Sequence, residues 1–244
     1  VMGDDVWREE QEWPLARTQY RDYYLHSGGK ANTLNGDGSL SLDKPEGEAP
    51  DVYLYDPRDP VPTNGGGLCC NQSFVPGGAF DQREVEARPD VLVYSTPPLE
   101  ADLELTGPVS LTLFAATTGR DTDFTAKLVD VYPSSQDYPG GYHLNICDSI
   151  IRVRYRNGFD SAEFMAPGDV YQVQIKLGPT SNLFKAGQRI RLDIASSNFP
   201  RFDVNPNTGE PNGRHTHTIR ALNTVHLDES RPSHVVLPII STEQ

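Results

Sequence analysis

The sequence is poor in cysteine and has no long hydrophobic run. Only 3 of its 244 residues are cysteine, and Cys69 and Cys70 are adjacent whereas Cys147 stands alone. This spacing fits neither a paired disulfide framework nor a zinc knuckle, so we expect a reducing compartment, the cytoplasm. No stretch approaches the roughly 18 consecutive apolar residues that a membrane-spanning helix needs. We therefore expect a chain that does not enter a membrane.

Basic charge is also scarce. The chain has 21 Lys and Arg against 34 Asp and Glu, a formal net charge of −13. This balance excludes electrostatic binding to nucleic acid, because neutralising a phosphate backbone requires a basic face. With 21 Gly, 20 Pro and 36% hydrophobic residues, the chain is rich in loops but still has material for a core. Its length fits one large all-β domain over residues 1–244.

The motifs of common active sites are missing. An α/β-hydrolase carries its nucleophile in Gly-x-Ser-x-Gly, since the tight turn tolerates no side chain at the flanking positions, and this pentapeptide does not occur. The nearest match, Gly36 to Ser39, is followed by Leu40 and is interpreted as a turn. No phosphate-binding loop or dinucleotide fingerprint is present either. We therefore predict no catalytic residue and no cofactor within this chain.

Metal binding has little support in the sequence. His215 and His217 have a spacing that metal ligands can use, but they lie in a polar tract with no Cys or carboxylate within a few residues. Asp121, Asp123 and Asp130 lack the close spacing and the glycine of a compact calcium loop. We expect the histidines to be solvated, the aspartates to cap turns or pair with arginine, and the chain to hold no metal.

A period-2 hydrophobic pattern persists from about residue 91 onward. In Val109–Ala115 every second side chain is apolar, which predicts a half-buried antiparallel strand. The same pattern recurs at Leu103/Leu105, Phe124 to Val131, Ile151/Val153/Tyr155, Tyr171/Val173/Ile175 and Ile190/Leu192/Ile194, and turn chemistry separates these segments at Thr106-Gly107-Pro108, Pro139 to Gly141, Asn157-Gly158, Pro167 to Asp169 and Ala186-Gly187. Short strands without helical windows between them predict an all-β, antiparallel two-sheet jelly-roll sandwich.

The first ninety residues are less regular. Two stretches, Ser27 to Gly47 and Asp56 to Gly78, have almost no periodicity and are predicted to be long irregular loops. Loops longer than about 12–15 residues inside a compact domain usually carry function or pack on a partner. The sequence predicts no helix longer than one or two turns, because Pro, Gly and β-branched residues interrupt every candidate helical segment.

Two blocks combine polar, charged and aromatic residues in a way that solubility alone does not require. The first, Thr122 to Tyr132, is a predicted strand with charged positions beside an apolar stripe. The second, Ser196 to Gly209, is a proline-punctuated loop that suits packing against another surface. Within it we expect Phe199 and Phe202 to act as anchors, and Arg201 to form an ion pair with Asp203.

Sequence segments spread in order along nearly the whole chain carry a family resemblance. They are Trp7-Arg8, Trp13-Pro14, Pro60 to Thr63 with Gly65-Gly66, Phe80 to Arg83, Arg88 to Leu92, Thr106-Gly107, Asp121 to Val131, Thr180 to Asn182, Ala186 to Ile190, Ser196 to Gly209, Ser233-His234 and Leu237-Pro238. In these segments the chain resembles the C-terminal domain of the Xaa-Pro dipeptidyl-peptidases and the cocaine-esterase-like (CocE/NonD) hydrolases, a set that includes α-amino acid ester hydrolases and glutaryl acylases. The family's two-layer, galactose-binding-like jelly roll agrees with the alternation described above.

The resemblance implies that this chain is the C-terminal segment of a larger serine hydrolase. The start at Val1, with Met2 second, fits a segment of a longer polypeptide. An α/β-hydrolase domain that bears the catalytic Ser, Asp and His would precede it, act on small esters or amides, and be its partner. None of the three catalytic residues maps onto this chain.

Two groups of site residues follow from the resemblance. Leu68, Cys69 and Cys70 look like the loop that reaches the acyl pocket of the hydrolase domain, and two cysteines in place of an aliphatic and aromatic pair predict a roomier pocket. The interface with that domain is expected to include Trp7, Trp13, Arg83, Arg88, Phe199, Arg201 and Phe202.

Two alternatives remain open. Jelly rolls often bind glycans, so a free-standing carbohydrate-binding module is the second hypothesis; it needs Phe199 and Phe202 on an exposed platform, whereas the accessory-domain hypothesis needs them buried. Trp7 and Trp13 could likewise fill this domain's own core instead of an interface.

Overall fold

Strands carry almost all of the regular structure in the computed structural model, which describes residues 1–68 and 75–240. Cys69 and Cys70 lie outside the described residues. Within these residues the one α-helix, α1, is the four-residue segment Arg83–Glu86. The strands are β1 Thr18–His26, β2 Ser39–Ser41, β3 Asp51–Tyr55, β4 Leu92–Ser95, β5 Leu103–Thr117, β6 Asp123–Tyr132, β7 Tyr142–Arg152, β8 Tyr171–Phe184, β9 Arg189–Ala195, β10 Ala221–Val225, β11 Leu227–Asp228, β12 Arg231–Pro232 and β13 His234–Ile240.

Eleven of these strands form one continuous, bent sheet. The hydrogen-bonded order is β3-β10-β5-β13-β1-β2-β4-β9-β6-β7, with β8 on the other edge of β5, while β11 and β12 form a small separate ribbon. Strand β2 joins the two halves: it is antiparallel to β1 and parallel to β4 through the single pair Ser39 and Ser95. The predicted all-β sandwich is confirmed.

The core lies between the two halves of the bent sheet. From one half, β5 contributes Leu111 and Leu113; from the other, β6 contributes Phe124 and Leu128, and all four are fully buried in a single cluster. Alternate residues of β8, β9 and β13 complete it, with Val173, Ile175, Leu177, Ile190, Leu192, Ile194, Val235 and Leu237. The period-2 pattern of the sequence is therefore the pattern of core contacts.

The predicted turn at Thr106-Gly107-Pro108 is wrong, because β5 runs unbroken from Leu103 to Thr117. Pro108 lies opposite Pro179 of β8, so two residues without an N–H face each other at this point in the ladder. Gly107 has φ +148°, and a Cβ there would lie 2.7 Å from Cβ of Pro238. The glycine permits close strand contact and does not reverse the chain.

The predicted strand at Ile151/Val153/Tyr155 is only half correct. Strand β7 ends at Arg152, and Val153–Tyr155 form one turn of 3-10 helix. The backbone N–H of Arg154 donates to Asp121 at 3.0 Å, a carboxylate fixed on the segment before β6. This side-chain hydrogen bond stabilises the turn where the alternation alone predicted a strand.

Strand β6 was predicted to be half-buried, but it is buried on both faces. Its outer face is covered by α1 and by the irregular segment that precedes β4. Asp130 is fully buried and accepts one hydrogen bond, at 3.2 Å, from the side-chain amide of Asn182. Because burial disfavours the carboxylate, the pKa of Asp130 rises to about 7.

We expect Asp130→Asn to stabilise the chain at pH 8 and to have little effect at pH 4. The unfolded aspartate has a pKa of about 3.9, so the folded state binds the proton more tightly. The stability that this proton contributes is fully present below about pH 4 and is lost as the pH rises through about 7. Urea unfolding at both pH values measures the difference, with the exposed Asp137→Asn as control. Equal effects of Asp130→Asn at the two pH values would contradict the raised pKa.

Candidate functional site

A row of three charged side chains crosses the outer face of β7, β6 and β9. Lys127 lies at the centre of the row, paired in register with Asp148 of β7 and with Asp193 of β9. All three are buried, at 9%, 9% and 4% exposure respectively. Cross-strand neighbours on one face lie about 5 Å apart, so the row alternates negative, positive and negative charge across three strands.

A thin apolar layer covers this row. Val61, Val85, Val91 and Val93 pack with Ala195 as a second, smaller hydrophobic cluster. Residues of α1 and of the segment before it close over the strands here, which is why charged side chains on the outer face of a sheet are buried. Buried charges are stable only when they are paired or hydrogen-bonded.

Polar partners from the cover meet the row. Gln82, just before α1, accepts a hydrogen bond from the ammonium of Lys127. Glu86 of α1, fully buried, accepts a hydrogen bond from Arg191 at 2.6 Å and contacts the ring of His143. Burial lowers the pKa of Lys127 despite the nearby carboxylates. Helix α1 is therefore fixed to the sheet by charge contacts.

Asp148 joins the row to the Ser196 to Gly209 loop. Its carboxylate pairs with Arg201 and also accepts a hydrogen bond from the side chain of Asn198 at 2.8 Å. Arg201 thus pairs with Asp148, and the expected pair with Asp203 is wrong. Asp203 is near Arg201 in sequence, but the loop packs against β7 and brings Arg201 to Asp148 instead.

Gly66 lies directly against this ion pair. Gly66 and Gly78 form a two-hydrogen-bond bridge, with N to O distances of 2.7 and 3.0 Å, which we call the loop neck. Gly66 has φ +101°, and a Cβ there would lie 2.7 Å from Nη1 of Arg201. Only glycine fits this approach without strain. Leu68, half-buried, follows the neck directly, and its N–H donates to the carbonyl of Gly66 at 2.8 Å.

A second charge cluster fixes the other end of the Ser196 to Gly209 loop. The side-chain amide of Asn205 donates to Asp121 at 2.8 Å and to Asp123 at 2.7 Å. These two carboxylates also pair with Arg154 and Arg152, as expected. For Asp130 the same expectation is wrong, because it lies within β6 and accepts from Asn182. Burial raises the pKa of Asp123, although Arg152 and Asn205 act against the shift.

The structure distributes the other predicted interface residues over several surfaces. Trp7 is 103% exposed and Trp13 is 55% exposed, so neither ring belongs to this chain's own core. Arg83 pairs with Asp81, and Arg88 donates from Nε to Asp90 at 2.8 Å.

The two phenylalanines stay near the loop neck. Phe199 is 45% exposed, and its backbone N–H donates to Val61 at 3.0 Å while its carbonyl accepts from the N–H of Thr63 at 2.7 Å. Phe202 is half-buried beneath the guanidinium of Arg201, 5.0 Å from its ring centre. Neither ring is buried by this chain alone, so the burial that the accessory-domain hypothesis needs would have to come from a partner.

Sequence reasoning missed Glu86, Asp148, Arg191 and Asp193. A signal was present in β9, where Arg189, Arg191 and Asp193 alternate with Ile190, Leu192 and Ile194. This alternation predicts a charged outer face, but only the fold shows that the face is covered. Across residues 1–68 and 75–240, no group of three or more His, Cys, Asp or Glu side chains has an arrangement suited to a metal ion.

Fold and site together define an all-β domain that carries buried structural charge, with the loop neck anchored on it. Over residues 1–236 the chain matches the family described as the X-Pro dipeptidyl-peptidase C-terminal non-catalytic domain, and it belongs to this family. In the part of the chain that the structure describes, no helix is long and apolar enough to cross a membrane.

Individual relatives agree with this assignment. The chain is 45% identical to the cocaine esterase of Rhodococcus sp. (strain MB1 Bresler) over 98% of its own length and 41% of that protein's. Among solved structures it is similar to an aminopeptidase from the marine sediment archaeon Thaumarchaeota archaeon, with TM-score 0.86, 31% identity and coverage of 98% and 39%. It is equally similar to an α-amino acid ester hydrolase, with TM-score 0.86, 30% identity and coverage of 97% and 40%. The chain thus spans about two fifths of these larger hydrolases.

We expect Gly66→Ala to destabilise the chain more than Gly168→Ala does. Both glycines have positive φ, +101° and +86°, but a Cβ at Gly168 meets nothing within 4 Å. Backbone strain of about 1–3 kcal/mol is common to the two variants, so the additional loss at Gly66 measures the contact with Arg201. Urea unfolding gives both values.

A double-mutant cycle with Arg201→Ala completes this test. The additional cost of Gly66→Ala should shrink when the guanidinium is absent. Equal costs for Gly66→Ala and Gly168→Ala, unchanged by Arg201→Ala, would show that the loop neck does not rest on the ion pair.

Proposed function

We propose that this chain, as a single domain over residues 1–244, braces the α/β-hydrolase domain of a serine hydrolase and helps to shape its acyl pocket. The observation that carries the proposal is the loop neck. It places Gly66 against the buried pair of Asp148 and Arg201, so that the segment from Gly66 to Gly78 starts and ends on a rigid part of the sandwich. A loop that contributes to a substrate pocket needs a support of this kind.

The relatives give the proposal its chemistry. One curated relative is a cocaine esterase and one structural neighbour is an α-amino acid ester hydrolase, so the substrate class proposed for the whole polypeptide is small esters or amides. The family is described as non-catalytic. The role proposed here is therefore positioning, with Leu68, Cys69 and Cys70 as the loop that meets the acyl group.

Exposed aromatic rings support the proposal that another domain covers part of this surface. Trp7 is fully exposed and Trp13 and Phe199 are about half exposed, and protein interfaces are enriched in aromatic residues at their centres. Solitary exposed apolar residues are ordinary, but two tryptophans on one short segment are not what a solvated tail requires. We propose that this N-terminal segment and Phe199 lie against the hydrolase domain.

A carbohydrate-binding role is the second candidate, and one observation favours it. Phe159, 82% exposed, packs against Tyr155 in a tilted arrangement, with ring centres 5.8 Å apart and an angle of 36° between the ring planes. The two rings border a groove whose other lining residues include Arg152, Phe202 and Asp203. Aromatic rings beside charged donors and acceptors are a combination that sugars can use. Retardation in glycan-containing gels that Phe159→Ala abolishes would support this role.

The hydrolase role is tested by a fusion. The chain alone should not hydrolyse a nitrophenyl ester above the buffer rate, since a nucleophile must have its base within hydrogen-bond reach. In the fusion, this chain replaces the part of the Rhodococcus cocaine esterase that it matches, and the rest of the esterase precedes it. The fusion should restore the ester hydrolysis that is lost when the esterase is truncated before the matched part. Turnover by the chain alone that an organophosphate abolishes, or a fusion no more active than the truncated enzyme, would refute the proposal.

The same fusion tests the pocket loop. We expect Cys70→Phe to lower kcat/KM for a benzoyl ester relative to an acetyl ester by roughly tenfold or more, because a larger ring fills the space that cysteine leaves. Cys147→Ser, at a half-buried residue of β7, is the matched cysteine control. An unchanged ratio of the two esters with Cys70→Phe would remove this loop from the acyl pocket.

The exposed tryptophans give a prediction for the chain by itself. Trp7→Ala and Trp13→Ala should each change the free energy of unfolding by less than about 1 kcal/mol. Phe124→Ala, in the core, should cost about 3–5 kcal/mol in the same urea titration. In the fusion, the two tryptophan variants should weaken the thermal stability of the hydrolase domain. Large losses in the isolated chain would instead place the rings in its own core.

A further inference from the structure

A small internal cavity lies between the charged row and its cover. Its volume is about 20 Å³, and its wall is formed partly by the apolar side chains of Val61, Val85 and Val91 and partly by Lys127, Asp193 and Asn198. A space of this size holds one water molecule, provided that two to four polar groups face it. The cavity is therefore large enough and polar enough for a single small ligand.

Three buried oxygens of residues that line this cavity have no hydrogen-bond partner within the described residues. They are both carboxylate oxygens of Asp193 and the side-chain oxygen of Asn198. The two side chains are 4% and 5% exposed, so bulk solvent does not reach them. A buried acceptor without a donor is unfavourable, and all three atoms are acceptors when Asp193 is ionised. Each of these oxygens can therefore accept a hydrogen bond from a molecule in the cavity.

We propose that this cavity binds one ordered water molecule, which donates to Asp193 and to Asn198 and accepts from Lys127. The water supplies two hydrogens, one for an oxygen of Asp193 and one for the oxygen of Asn198. Lys127 has three N–H groups, one of which Gln82 accepts, so an N–H remains for the water to accept. A metal cation fits less well, because the ammonium of Lys127 lines the same small space and would repel it.

The water connects the sheet to the loop neck. Asn198 uses its oxygen toward the cavity and its nitrogen toward Asp148, and Asp148 holds the guanidinium of Arg201 beneath Gly66. Removing the water would leave Asn198 free to rotate and would loosen Asp148. This inference concerns the chain's own structure and is independent of any hydrolase activity.

A crystal structure of the chain, at a resolution that orders internal water, tests the site. We expect one density peak within hydrogen-bond distance of Asp193 and Asn198, and no anomalous signal there after a rubidium soak. Asp193→Asn keeps an acceptor of the same shape and should retain the peak. Asp193→Leu removes the acceptor and should abolish it. No peak in the wild-type chain, a rubidium signal at the site, or a peak that survives Asp193→Leu would overturn the proposal.

Hydrogen exchange measures the link to the loop neck. The amides of Gly66 and Gly78 should exchange roughly threefold to tenfold faster in Asp193→Leu than in Asp193→Asn, the effect of losing one buried hydrogen bond. If Asp193→Leu does not fold, Val91→Ile takes its place, since it adds one methyl group to the cavity wall, with Val93→Ile as control. Equal exchange in the matched variants would refute the link.

Discussion

The ion pair between Asp148 and Arg201 is the contact on which the site depends. It joins the middle of β7 to the Ser196 to Gly209 loop, and the loop neck rests on it because Gly66 has no side chain. Replacing a buried ion pair by apolar residues is often neutral or stabilising, so stability alone does not explain it. Its geometric effect is clearer. The buried carboxylate of Asp148 fixes the position of the Arg201 guanidinium, and the guanidinium in turn supports the loop neck at Gly66.

The same β6–β7 hairpin anchors the Ser196 to Gly209 loop at three points. Asp148 holds Arg201 at the start of the loop, Arg152 donates to the carbonyl of Asp203 at 3.3 Å, and Asp121 and Asp123 hold Asn205 near its end. Long loops are usually the least stable parts of a fold. Here a long loop is bound to the strands that also build the core, so its position is tied to that of the sandwich.

The fold was predictable from the sequence because alternation reports directly on burial. Where one face of a strand meets water, as in much of β8, the period-2 pattern is clear. Two of the errors arose where a third layer intervened. Strand β6 has no exposed face, so its charged residues do not mark the solvent side, and the partner of Arg201 is a residue 53 positions away. An ion pair of this kind depends on which strand a loop packs against, and the local hydrophobic pattern of the sequence does not encode that.

The charged row also explains why a thin cover suffices on this face. Five small apolar residues, Val61, Val85, Val91, Val93 and Ala195, form the only hydrophobic cluster found outside the main core within the described residues. Hydrophobic burial is not directional, so this cluster by itself does not fix the position of the cover on the strands. Directional contacts from Glu86 to Arg191 and from Gln82 to Lys127 supply the register that the valines lack. Buried polar contacts therefore hold both helix α1, through Glu86 and Gln82, and the Ser196 to Gly209 loop, through Asp148.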